Sequence, residues 1–304
     1  MKHFCCLLIF LSTFLTVSQT DAYKVVNVEL NSEHPHFGLM PIGENKILFT
    51  SYLLDKKERP KKKQGVPVLT VFQAAISSEG HITNEVPVQI DPKQNIVNIT
   101  SATISPNGKN LFITTRYSYK NKPQGNFNMD NFHIEIGEYK AGVGWTNFKV
   151  LPFCKLKYSY AHPALSKDGK ILYFTANVRG GRETTRGGSD IFKVDVLGNN
   201  TYGEPKNLGS KVNSYSREMF PVIANDNTLY FASNRPGGFG GYDVYKSVMD
   251  EHGVFTKAEK LPKPLNSNKD DFSLITNDNG ASGYLSSKRL KGKGDDDIYY
   301  FKKK

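Results

Sequence analysis

Asp168-Gly169-Lys170-Ile171-Leu172-Tyr173-Phe174-Thr175 reads as a tight turn followed by an aromatic-rich strand that ends in a small polar residue. The Asp-Gly pair supplies the positive φ angles of a short hairpin, and Ile, Tyr, Phe and Thr favour the pleated chain. The phrase recurs along the chain. Earlier copies are Asn45-Lys46-Ile47-Leu48-Phe49-Thr50-Ser51 and Asn107-Gly108-Lys109-Asn110-Leu111-Phe112-Ile113-Thr114. Later ones are Asn227-Thr228-Leu229-Tyr230-Phe231-Ala232-Ser233 and Gly283-Tyr284-Leu285-Ser286-Ser287. With Phe49, Ile113, Phe174, Phe231 and Leu285 as equivalents, the spacings are 64, 61, 57 and 54 residues. That is the size of a propeller blade, so the expected fold is an all-β, five-bladed β-propeller.

A second phrase follows the first: Ser189-Asp190-Ile191-Phe192, Tyr242-Asp243-Val244-Tyr245 and Asp296-Asp297-Ile298-Tyr299, with degenerate copies Phe132-His133-Ile134 and Leu69-Thr70-Val71. A third is a polar strand leading to Asn-Ser, over Leu208 to Ser214 and Leu261 to Ser267. The fifth repeat stops at Phe301 after its second phrase. The stretch Val26 to Ser32 carries the missing third phrase, so the amino-terminal strand is expected to complete the last blade and remove the open edge.

Residues 1–22 read as a secretory signal. Lys2 and His3 precede an apolar run from Cys5 to Val17, and Thr20-Asp21-Ala22 offers cleavage after Ala22. The run is shorter than the ~20 apolar residues of a membrane helix, and no later stretch approaches that length. Residues 23–304 then form a single domain. Its one cysteine, Cys154, allows no intrachain disulfide and reads as a small buried hydrophobe. Asn98-Ile99-Thr100 and Asn199-Asn200-Thr201 match the glycosylation sequon, a pattern common by chance.

The formal net charge of +11 favours anionic neighbours. Lys56, Lys57, Arg59, Lys61, Lys62 and Lys63 lie in one segment, and Lys302 to Lys304 form the end. Export and the lack of a recognisable motif argue against nucleic acid. The Asn-Gly and Asp-Gly turns lack the spaced carboxylates of a calcium loop, so no metal or other cofactor is expected.

Ser233-Asn234-Arg235-Pro236-Gly237-Gly238, followed by Gly241-Tyr242-Asp243-Val244-Tyr245, resembles the WD40-like repeat of TolB-type propellers. The third repeat echoes it in Ser166 to Lys170 and Gly188 to Phe192. The resemblance extends to envelope propellers of Bacteroidota, in which an OmpA-like peptidoglycan-binding domain often follows. It implies an exported propeller that docks proteins or glycans in the periplasm, at the outer membrane or outside the cell. No OmpA-like domain follows before Lys304, so anchoring to peptidoglycan is not carried over.

Repeated residues are expected to hold blades together: Asp190, Asp243 and Asp297, with Arg116, Arg179, Arg235 and Lys288-Arg289 at the second-strand ends as their partners. Residues that break the repeat are the functional candidates. Arg179, Arg182 and Arg186 in the Gly-rich loop 179–188, together with Arg217, are the expected binding residues for an envelope protein or acidic glycan. The competing reading is a secreted glycoside hydrolase or lyase with Glu33, Glu218 and Asp271 converging on the channel mouth. Trp145 is the sole tryptophan for stacking on sugar, and no Gly-x-Ser-x-Gly accompanies His34, His36, His133 or His162. Oligomeric state is left open.

Overall fold

A computed structural model describes residues 22–116, 124, 130–277 and 279–304. The expected signal segment, apart from Ala22, and most of the Tyr117–Asn131 loop lie outside the described residues. The chain forms a five-bladed β-propeller. The inner strands are Phe37–Ile42, Ser101–Ile104, Tyr160–Leu165, Glu218–Ile223 and Asp271–Thr276. Each is hydrogen-bonded to a second strand carrying the repeated aromatic phrase, which pairs in turn with a third. Phe49, Ile113, Phe174, Phe231 and Leu285 are all buried at 1% exposure or less, so the residues that set the repeat are also the centres of the blades. No helix among the described residues is long and apolar enough to cross a membrane.

The last blade is closed by the amino-terminal strand, Tyr23–Asn27, antiparallel to Asp297–Lys303, with Tyr23 opposite Lys303 and Asn27 opposite Tyr299. Pairing thus begins at Tyr23, three residues before the stretch expected from the sequence. Asn31 then continues the ladder with its side chain. The same device recurs wherever the Asn-Ser phrase does: Asn213 and Asn266 accept the N–H groups of Ile191 and Val244 and donate to their carbonyls. The outer rung of these three blades is therefore partly built from asparagine amides, which replace a strand that has turned away.

Blades are joined at one end of the ring. Glu218 N–H donates to the Ser189 carbonyl, Asp271 N–H to Tyr242 and His36 N–H to Asp296, at 2.7–2.9 Å. The receiving carbonyls each belong to the residue just before a repeated aspartate. Backbone approach is close here. A Cβ on Gly187 would lie 2.0 Å from the Ser216 carbonyl oxygen, and one on Gly240 would lie 1.9 Å from that of Lys269. Only glycine fits between neighbouring blades at these positions.

The inner strands bend inward through bulges. Their pairing shifts register after Phe37, Ala161, Met219 and Phe272, and the residues that follow, Gly38, His162, Phe220 and Ser273, all have φ between 48° and 69°. Non-glycine residues rarely hold that conformation, and bulges of this kind re-aim side chains. The freed N–H groups reach the preceding blade: His162 to Thr114 Oγ1 at 2.9 Å, Phe220 to His162 Nδ1 at 3.4 Å and Gly38 to Ser273 Oγ at 3.2 Å.

Candidate binding site at the channel mouth

The repeated aspartates hold loops. Asp190, Asp243 and Asp297 are fully buried, and each accepts backbone N–H groups from the glycine loop just before it. Arg186 and Gly187 donate to Asp190, Phe239 and Gly240 to Asp243, and Lys293 and Gly294 to Asp297. Among the described residues no second-strand arginine, expected as a partner, pairs with these aspartates. Arg235 pairs instead with Glu218 at 3.1 Å, and Arg289 with Asp271 at 2.7 Å. Arg179 donates to the carbonyls of Thr185 and Gly187, which shapes its own loop.

Glu218 and Asp271 therefore sit in closed latches. Both are 0% exposed. Glu218 accepts from Ser214 N–H, Ser214 Oγ, Ser233 Oγ and Arg235 at 2.6–3.1 Å. Asp271 accepts from Ser267 N–H at 2.5 Å and from Arg289. Glu33 does not join them. The residue of blade 1 that matches Glu218 and Asp271 is His36, whose N–H makes the same inter-blade bond, while Glu33 is exposed three positions earlier. His36 is buried, and desolvation holds its pKa below the usual histidine value.

At this same end of the ring a cavity of about 390 Å³ opens between blades. Its lining includes Phe37, Ala161, His162, Met219, Phe220 and Arg217, together with Ser159, Thr175, Asn177 and Ser189, and holds no carboxylate among the described residues. The His162 ring stacks on Phe220 at 3.8 Å between centroids, and Phe220 lies 5.0 Å from Phe272. Burial pushes the His162 pKa down to about 3, so the ring is neutral at ordinary pH. Because Nδ1 accepts the Phe220 N–H, the proton belongs on Nε2.

Of the four arginines expected to bind a partner, the structure gathers two at this mouth. Arg217 lies across Gly188, where a Cβ would fall 2.7 Å from Arg217 Cγ, and it is exposed. Arg186 rests over the exposed Tyr215 ring at 4.9 Å. Arg182 is exposed on the same loop, whereas Arg179 is tied into it. The pocket walls His162, Phe220, Met219 and Phe37 go beyond the binding residues expected from the sequence, whose only signal for them is their place at the start of inner strands. Trp145 is buried on an outer strand, edge-on to Tyr139 at 5.4 Å. Cys154 is a half-buried thiol whose pKa is pushed up to about 12 by desolvation, which keeps it in the unreactive protonated form. Among the described residues no group of three or more His, Cys, Asp or Glu side chains is arranged to hold a metal ion.

A scan of protein-family models and a search of curated proteins each find no match to the chain. Solved structures are similar at the level of fold. A candidate TolB from Agrobacterium tumefaciens is 14% identical, with 87% of this chain and 76% of that one covered and a TM-score of 0.45. A protein of unknown function from Dyadobacter fermentans is 12% identical over 88% and 75%, with a TM-score of 0.47. Prolyl oligopeptidase B from Galerina marginata is 12% identical over 84% of this chain and 33% of its own, at 0.40. The chain is a β-propeller distantly resembling TolB and prolyl oligopeptidases, and no specific family is shown.

Proposed function

We propose that the chain is an exported, non-catalytic binding module of the bacterial envelope, which recognises a protein or acidic glycan through the basic loops around the channel mouth. The observation that carries this reading is topological. In blades 1, 3, 4 and 5 the connection from the second to the third strand leaves the ring at the mouth, because second strands end where inner strands begin. The lysine-rich segment 53–68, the arginine loop 177–189 and the loop 288–296 with Lys288, Arg289, Lys291 and Lys293 thus share one face. Loops on a rigid scaffold are where specificity is set, and clustered cations draw anionic partners from a distance. The engagement of Glu218 and Asp271 in latches weighs against the glycosidase reading, since a donor acid and a nucleophile must face a sugar bond.

The test is an array of acidic glycans and acidic peptides probed with residues 23–304 and with an Arg182→Ala/Arg186→Ala/Tyr215→Ala variant. Binding to a defined anionic ligand, lost in the variant and weakened by salt, supports the reading. Binding that ignores both the variant and salt rejects it.

A further inference from the structure

The cavity at the mouth has a composition that selects more narrowly than a basic face does. Its walls combine aromatic and apolar side chains, from Phe37, Phe132, Met219 and Phe220, with hydroxyl and amide groups, from Ser159, Thr175, Asn177 and Ser189. Its volume of about 390 Å³ falls in the range of small-molecule sites. The lining contains one permanent charge, Arg217, which makes no ion pair among the described residues. Other arginines near the ring axis are neutralised: Arg235 by Glu218 and Arg289 by Asp271. Arg217 packs its stem across Gly188 at the rim of the pocket and is exposed, so an incoming anion can reach its guanidinium directly. A second donor stands nearby. His162 spends Nδ1 on Phe220, and its Nε2–H has no hydrogen-bond partner among the described residues.

From these features we infer that the mouth pocket is a receptor site for a small monocarboxylate with an aromatic or apolar body, the carboxylate meeting Arg217 and the body lying against Phe37, Met219 and Phe220. A guanidinium matches a carboxylate in two parallel hydrogen bonds, whereas an uncharged ligand would leave it unanswered. With no carboxylate among the described lining residues, none of them competes for the cation or repels an anion. A free aromatic acid and the carboxy-terminal residue of a peptide present the same chemistry. The inference deepens the binding-module reading by naming a ligand class for one part of the mouth, and it uses none of the loop residues by which that reading is tested.

The experiment is calorimetry of residues 23–304 with N-acetyl-L-phenylalanine, its carboxamide, and the tripeptide Gly-Gly-Phe with a free carboxy terminus. The acid is expected to bind saturably, with the carboxamide weaker by about tenfold or more. Arg217→Gln should remove that preference, and Ala161→Leu, which fills the pocket without touching the charge, should weaken both ligands. The same thermal midpoint in each variant shows that the fold is kept. Gly-Gly-Phe binding as well as the free acid assigns the site to chain termini, and failure of the tripeptide alone assigns it to free acids. Equal binding of acid and carboxamide, an Arg217→Gln variant with undiminished preference, or no binding up to about 10 mM acid overturns the inference. Positive arrays with negative calorimetry reject the pocket alone, and the converse rejects the basic-loop reading alone.

Discussion

Asn31 brackets the backbone of Ile298: its Oδ1 accepts the Ile298 N–H at 2.9 Å and its Nδ2 donates to the Ile298 carbonyl at 2.6 Å. The two residues lie at opposite ends of the chain, so this amide is part of the seam that closes the ring. Asn31→Ala leaves two buried backbone groups unpaired and is expected to cost about 2–4 kcal/mol in urea unfolding. Deleting residues 23–31 uncovers the whole edge of Asp297–Lys303. The expected result is association through that edge, read as concentration-dependent light scattering.

The Glu218–Arg235 latch gives a prediction that separates a structural role from a catalytic one. Arg235 is 17% exposed, and without the carboxylate its charge is left largely buried beside the Phe231 and Tyr245 rings. Glu218→Gln is expected to destabilise by about 3 kcal/mol, and adding Arg235→Met should restore part of that loss. Asp271→Asn with Arg289 should behave alike. A normal melting temperature in Glu218→Gln would return Glu218 to the list of reactive candidates.

Blade number, strand order and ring closure were legible because a propeller repeats its hydrogen-bonding needs along with its apolar ones. The Asn-Ser phrase marks a side chain that must replace a rung, and it predicted the closing segment correctly. Acidic character alone points to Glu33 in blade 1, whereas His36 occupies the matching position. Counting would have served better: Asn213 to Glu218, Asn266 to Asp271 and Asn31 to His36 are all five residues apart. The partners of the repeated aspartates were not legible, since a carboxylate can accept from backbone amides as readily as from arginine. The pocket was hidden for another reason. Its walls come from four blades, and only the bulges at Gly38, His162 and Phe220 aim the inner strands so that they meet.

Acid stability should divide between two groups of opposite sign. His162 takes a proton near 6.5 when unfolded but only near 3 when folded, so the unfolded state binds more protons between these values. Stability from this residue is present above pH 6.5 and is lost as pH falls, by about 2 kcal/mol at pH 5. Asp296 runs the other way. Burial first, then Asp295, Asp270 and Asp297, raise it to about 6 against the pull of Lys288. Its ionised form costs stability above pH 6, and the cost fades as pH falls toward 3.8. Asp296→Asn is thus expected to stabilise the protein at pH 7.5 and to have little effect at pH 4. His162→Asn, which tolerates the positive φ, should flatten the acid limb of the melting profile between pH 6.5 and 4.

Three glycines of the third blade distinguish what glycine does for the ring from what it does for the pocket. Gly187 faces the Ser216 carbonyl oxygen, and a Cβ there would sit 2.0 Å from an atom fixed by the next blade. Gly187→Ala therefore has to move blades 3 and 4 apart, with an expected loss of about 3 kcal/mol or more. The next residue, Gly188, faces the flexible stem of Arg217 instead. Gly188→Ala can be relieved by swinging that side chain away, so its melting temperature should fall little while its preference for a carboxylate ligand falls as in Arg217→Gln. Gly203 supplies the control. It has no positive φ, its nearest neighbour would be Asp195 Cβ at 3.5 Å, and alanine there should be neutral or stabilising by up to about 1 kcal/mol. Thermal melts and calorimetry on the three variants would locate the blade contact at Gly187 and the ligand contact at Gly188. If Gly188→Ala binds the acid and the carboxamide with the preference of the unsubstituted protein, Arg217 does not hold the carboxylate from the position across Gly188.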